Sequence, residues 1–269
     1  MKQQLARIVL GVLVLSASGC ATWSDRPQAG PNASRFQRIR LAAVNAARDP
    51  ATWIPAAGAV AFRMGDLDER VSDWAYEHTP IFGSPEDANQ ASTDLRAVAC
   101  AAAILTPLSI PPPADSARAG MTKTQGVSGG LAATLTNSAL VGFMKKETDE
   151  TRPNGGHSSF PSSHTSQAFA CAISASRSLE SVPMSAGMRK ALRINLTAVA
   201  AATAWGRIEA YHHYPSDTLA GAALGNFLAN FIFDAFLKPA NASEEQGAKA
   251  DVSLDLVDDA TWLKFTWGF

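Results

Sequence analysis

The stretch RIEAYHHYPSD (residues 207–217) decides how this chain is read, together with two segments ahead of it, KKETDETRP (145–153) and PSSH (161–164). Six residues separate Lys145 from Arg152, five separate Arg207 from His213, and three separate His213 from Asp217. Three cations, two imidazoles and one carboxylate are thereby available to converge. Such a set suits an oxyanion of phosphorus. Arginine offers a planar fork of donors and lysine a point charge, each making charge-assisted hydrogen bonds to non-bridging oxygens. Histidine can then act as nucleophile or proton carrier near neutral pH. Taken singly, each residue has a plainer reading. A lone Arg or Lys is usually a solvated charge, and Lys146 beside Lys145 has that reading too. A lone His is more often structural, which is the reading given to His78, His157 and His212. Ser162 and Ser163 ahead of His164 could simply cap a helix. Joint occurrence at these spacings favours one phosphate pocket.

The order Lys-x6-Arg-Pro, Pro-Ser-x-His, Arg-x5-His-x3-Asp resembles the type 2 phosphatidic acid phosphatase (PAP2) superfamily, which also includes class A acid phosphatases and vanadium haloperoxidases. The motifs run from Lys145 to Asp217, and a looser similarity extends from about Ser92 to Leu237. The resemblance implies an all-α, PAP2-like helical bundle and a phosphatase of phosphomonoesters or lipid (pyro)phosphates that uses neither metal nor other cofactor. It also implies roles. His213 is the nucleophile that forms a phosphohistidine, and Asp217 accepts its imidazole N–H and fixes the tautomer. His164 protonates the leaving oxygen and then deprotonates water. Lys145, Arg152 and Arg207 stabilise charge on the equatorial oxygens. Ser162, and the amide of Ser163 at a helix start, add hydrogen bonds to the same oxygens.

Two positions depart from the family pattern. Ser163 stands where a glycine is expected, and glycine allows backbone angles that serine tolerates poorly. Gly206 stands where a serine usually precedes the arginine, which removes a hydroxyl but no charge. These departures are the ground for one rival reading, an envelope lipoprotein that binds a lipid phosphate without catalysis. The other rival is a vanadium-dependent haloperoxidase holding vanadate in the same pocket.

The N-terminus adds a second signal. Lys2 and Arg7 precede an apolar run from Ile8 to Leu15, and small residues then lead to Cys20. This resembles a bacterial lipoprotein signal (1–19), with Cys20 lipidated and anchored in the cell envelope, facing the periplasm, by an outer-membrane-sorted class of sequence. An ordinary secretory signal cut near Ala21 is the alternative. Residues 20–34, rich in Ser, Pro, Gly and Asn, read as a tether. Residues 35–240 read as the phosphatase domain and 241–269 as a tail.

Without the signal, 21 basic side chains face 24 acidic ones, so nucleic acid is not an expected partner. A phosphorylated lipid or a small phosphoester is. Cys100 and Cys171 lie in apolar stretches and could pair in an oxidising compartment or stay as buried thiols.

Apolar residues recur at helical spacing over Arg35–Arg48, Ala51–Met64, Leu67–His78, Ser92–Leu108, Val127–Lys146, His164–Leu179, Ala186–Trp205 and Ser216–Leu237. Loops are expected at residues 79–85, 111–113 and 152–160. Runs such as Ala97–Leu108 and Ala198–Trp205 fall short of the roughly 20 residues needed to span a bilayer. Asn226, Asn230 and Asp234 give the longest run a polar stripe, so the bundle reads as water-soluble. In the tail, Val252, Leu254 and Leu256 alternate with polar residues, and an aromatic run follows Asp258-Asp259. A short β-hairpin is the expectation there.

Overall fold

The computed structural model describes residues 33–112 and 121–237, and the backbone of 250–257 and 260–267. Among the described residues there are eight α-helices: α1 (Arg35–Arg48), α2 (Pro50–Arg63), α3 (Leu67–His78), α4 (Pro85–Leu108), α5 (Lys123–Thr148), α6 (Ser163–Ser178), α7 (Ala186–Glu209) and α8 (Pro215–Phe236). The fold is all-α, as the periodicity requires. Two short strands, β1 (Ala250–Val257) and β2 (Ala260–Trp267), pair antiparallel with Val257 opposite Ala260. Residues 1–32, with the signal, Cys20 and most of the tether, lie outside the described residues.

The centre is the pair α6 and α8, brought backbone to backbone by glycine. A Cβ on Gly221 would meet the Ser162 carbonyl oxygen at 2.7 Å, and one on Gly225 would meet the Ala170 nitrogen at 2.9 Å. These contacts advance together along both chains, so α6 and α8 run parallel. Helix α4 also runs parallel to α6, to which it is tied by a disulfide between Cys100 and Cys171 with Cα atoms 4.8 Å apart. Of the two readings of these cysteines, pairing is the one the fold adopts. Helices α5 and α7 run the other way. The core between α4, α6, α7 and α8 is mostly alanine, with Ala99, Ala168, Ala172, Ala200 and Ala222 packed around Phe169. Small side chains permit close helices, and close helices fix their ends accurately.

One end of the bundle therefore gathers the N-termini of α4, α6 and α8 and the C-termini of α5 and α7. Three N-termini turn free N–H groups and the positive ends of helix dipoles toward it.

Helix α5 begins at Lys123 instead of Val127, where Thr122 and Gln125 form a capping box, and three further readings change. Helix α4 begins at Pro85 instead of Ser92, because Ser84 caps the amide of Asp87, Pro85 takes the first helical position, and Glu86 and Asp87 occupy the first turn. Helix α7 continues past Trp205 to Glu209. The third concerns the membrane. Helices α4, α5 and α8, of 24, 26 and 22 residues, are long and apolar enough to cross one by length and composition. The polar stripe on α8 turns inward instead of facing water: Asn226 Nδ2 donates to the Ala51 carbonyl at 2.6 Å, Asn230 Nδ2 to Asp49 Oδ2 at 3.3 Å, and Asp234 pairs with Arg177. Outward, α4 and α5 expose Val98, Ile104, Leu105, Leu131, Leu135 and Phe143.

Candidate active site

The spacing between Arg207 and His213 is set by the way α7 ends. Tyr211 adopts a left-handed backbone with φ 58°. The amide of Tyr211 donates to the Ile208 carbonyl at 2.9 Å and that of His212 to the Arg207 carbonyl at 3.1 Å. This is a Schellman termination, with tyrosine in the position glycine usually takes. Helix α3 holds that tyrosine: its hydroxyl donates to Asp73 Oδ1 at 2.6 Å and its ring stacks on Tyr76 with centroids 4.6 Å apart. The cap reverses the chain so that Arg207, on the last turn of α7, and His213, beyond it, share one space.

His213 is 2 % exposed, and its Nδ1 lies 3.6 Å from Asp217 Oδ2. The same carboxylate oxygen accepts the Tyr214 amide at 3.0 Å and the Ser159 hydroxyl at 2.5 Å. Asp217 therefore closes the first turn of α8 and faces the imidazole at once. Burial, followed by the charges of Arg207 and Lys145, lowers the pKa of His213 to about 4 despite the opposing pull of Asp217. At neutral pH this is a neutral imidazole beside a carboxylate.

Lys145, in the last turn of α5, reaches the loop that follows it, donating from Nζ to the carbonyls of Ser158 and Ser159. Lys146 is exposed, as read. Arg152 is anchored by its own loop: Nε donates to the His157 carbonyl at 3.0 Å, and the turn closes through Gly155 with φ 82°. His212 is half-buried, its Nδ1 is 3.1 Å from Asn154 Nδ2 on the Arg152 loop, and burial with Arg207 and Arg152 lowers its pKa to about 4. His78, by contrast, bonds the Trp74 carbonyl and stacks on the Trp74 ring, which is structural.

Arg207 is buried, and its Nη1 donates to Asn89 Oδ1 at 2.6 Å and lies 3.4 Å from Ser92 Oγ. Burial, then Arg152 and Arg96, lowers its pKa to about 10. Gly206 now has a reason: a Cβ there would meet the Ala88 carbonyl at 2.9 Å and Ser92 Cβ at 3.0 Å. Helix α4 packs so close that only glycine fits, and Ser92 sets its hydroxyl beside the guanidinium in place of the missing serine. Ser163 is the first residue of α6 with an ordinary backbone, so nothing there demands glycine. Ser162 is fully buried, donating its amide to the Asp217 carbonyl at 3.0 Å and accepting the Thr165 hydroxyl at 3.1 Å. His164 follows on the first turn of α6. Burial and then Arg207, Arg96, His213 and His212 lower its pKa to about 3. Arg207, Arg152, Lys145 and the three histidines thus occupy one electrostatic neighbourhood at the end where three helix N-termini point.

Residues 124–239 match the PAP2 superfamily model. No curated protein matches the chain significantly. Among solved structures it is similar to the first transmembrane PAP2-type phosphatidylglycerolphosphate phosphatase, from Bacillus subtilis. That match has 21 % identity and a TM-score of 0.51, and covers 70 % of this chain and 96 % of that one. The fold is the PAP2 helical fold.

Sequence reasoning missed Ser159, Asn89, Ser92 and Asn154. Ser159 stands two residues before Pro161 and belongs to no spaced motif, while Asn89 lies 118 residues from its partner Arg207. The one available signal for Asn89 was the capped, proline-led start of α4.

Proposed function

We propose that this chain is a PAP2-type phosphatase that hydrolyses phosphorylated lipids or small phosphoesters through a phosphohistidine. The observation that supports this reading is that Lys145, Arg152 and Arg207 act on one another's charge, Arg207 acts on His164, and Arg207 and Lys145 act on His213 beside Asp217. The phosphoryl group sits among the three cations and the amide of Ser163, with Ser162 beneath it. Asp217 accepts the Nδ1 proton of His213, which leaves Nε2 to attack phosphorus. As the N–P bond forms, the bond to the leaving oxygen breaks and that oxygen takes a proton from His164. Water then attacks the phosphohistidine and gives its proton to His164, releasing phosphate and restoring His213. The cations keep His164 neutral in the empty pocket, and an incoming phosphate dianion offsets their charge so that His164 can carry the proton it delivers.

The setting is a membrane surface. The apolar outer faces of α4 and α5 suit lipid contact, and the Cys100–Cys171 bond suits an oxidising envelope compartment. A lipid anchor at Cys20 with a tether to residue 34 accords with both.

The test is phosphate release from a chromogenic phosphomonoester and a phospholipid panel. His213→Ala is expected to abolish turnover with helical content unchanged, and vanadate to inhibit where a chelator does not. Full activity in that variant would remove the proposed nucleophile.

A further inference from the structure

Helix α4 brings a fourth cation, from outside the three motifs, close enough for its charge to act on Arg207 and His164. Asn89, Ser92 and Arg96 recur at three- and four-residue intervals and so share one face of the helix. Asn89 and Ser92 touch Arg207. Arg96 Nη1 donates to Gln167 Oε1 at 2.9 Å. Gln167 lies three residues after His164 on α6, and the next turn of both helices is locked by the Cys100–Cys171 bond. Side chains on a helix lean toward its N-terminus. Because α4 and α6 run parallel, Arg96 and Gln167 both lean toward the level of His164 and the open end of the bundle. Arg96 is half-buried, and among the described residues no other hydrogen bond engages its guanidinium.

We propose that Arg96 is a specificity-determining residue that binds a negative charge on the leaving group, so that the preferred substrates are diphosphates. This rests on the phosphatase reading above. Lys145, Arg152 and Arg207 suffice for the three oxygens of the transferring phosphoryl group. Arg96 stands on the side of His164, the group that meets the leaving oxygen, and after burial its charge is second only to that of Arg207 in acting on His164. An alcohol leaving group has no use for a cation there. A phosphate does: attack of His213 on the terminal phosphorus breaks the P–O–P bridge, and the departing monophosphate ester leaves with its negative charge beside Arg96. Water then releases inorganic phosphate from His213. Gln167 holds one arm of the guanidinium and leaves the others to the substrate, in the forked geometry that suits phosphate oxygens.

The experiment compares geranyl diphosphate with geranyl phosphate, which share a chain and differ in the leaving group. The full chain, Arg96→Gln and Arg96→Lys are assayed for kcat and KM on both. Wild type is expected to favour the diphosphate in kcat/KM. Arg96→Gln is expected to reduce that preference about tenfold, mainly through KM, as for loss of one partly exposed charge-assisted contact, and Arg96→Lys to restore part of it. An unchanged preference in Arg96→Gln, or wild type favouring the monophosphate, overturns the proposal and leaves the phosphatase reading standing. Release of no phosphate from these esters or from a chromogenic one overturns that reading instead. If Arg96→Gln melts early, the preference of Arg96→Lys relative to wild type decides, since it keeps the charge and loses the fork.

Discussion

The two sides of the pocket hold their cations differently. On the loop side, Lys145 and Arg152 are anchored to backbone carbonyls only 5 to 14 residues away. On the helix side, Arg207 is anchored by side chains of α4 that lie 115 and 118 residues away. The loop side is a local structure that its own short motif nearly specifies. The helix side depends on how α4 docks, and that docking requires Gly206, the alanine core and the disulfide. A motif can therefore be intact in sequence while its arginine is aimed from elsewhere.

The sharpest way to break this comparison is a mutant cycle. Arg207→Ala is expected to lower kcat/KM by about a thousandfold, as for loss of a preorganised charge-stabilising group. Asn89→Ala, at an exposed position, is expected to cost about tenfold with no change in melting temperature. Its cost should vanish in an Arg207→Lys background, because the acceptor then has no guanidinium to hold. Phosphatase assays on the four proteins measure the coupling. Full additivity would mean that Asn89 does not aim Arg207, and the contrast between the two sides would collapse.

This contrast also explains what the sequence made legible. Helices α1 and α3 were readable to the residue, since each repeats its apolar positions over a whole element. The three motifs announced Lys145, Arg152, His164, Arg207, His213 and Asp217, whose meeting needs only short loops and the parallel pair α6 and α8. The start of α4 was hidden because Gly83-Ser84-Pro85 reads equally as a turn and as a cap with proline at the first helical position. That hidden turn carries Asn89. The polar stripe of α8 was misplaced for a related reason: whether Asn226, Asn230 and Asp234 face water or neighbouring helices is a matter of docking, and spacing alone cannot decide it.

A smaller effect comes from acid. The folded pKa values of His213, about 4, and His164, about 3, both lie below the ordinary 6.5. Between pH 6.5 and 4 the unfolded chain therefore binds more protons than the folded one, so unfolding becomes easier as pH falls through that window. Above 6.5 both forms are neutral and the contribution is complete. Asp68, whose pKa burial raises, works in the opposite sense. Thermal melts across the window should show a fall of several degrees toward pH 4. His164→Ala should reduce it, leaving the part contributed by His213 and His212, and saturating vanadate should reduce it by giving the imidazoles an anionic partner. A flat profile in the unmodified protein would show that the histidines are not held neutral by burial and the cations of both sides.

The smallest expected effect lies at Tyr211, where the two sides join. A left-handed backbone costs a non-glycine residue about 1 kcal/mol or more, and the Asp73 hydrogen bond and the Tyr76 stack hold it there. Tyr211→Phe keeps the stack and loses one partly exposed bond, so stability should fall by less than about 1 kcal/mol with activity nearly unchanged. Tyr211→Gly relieves the backbone cost and loses both anchors to α3. Its stability should stay close to that of the unmodified protein, yet kcat should drop further than in Tyr211→Phe, because His213 is then presented by a turn tied to nothing outside itself. Denaturant midpoints and kcat for the two variants separate these contributions. If Tyr211→Gly turned over substrate at the unmodified rate, the aim of His213 would come from Asp217 and Ser159 alone, and α3 would merely cover the site.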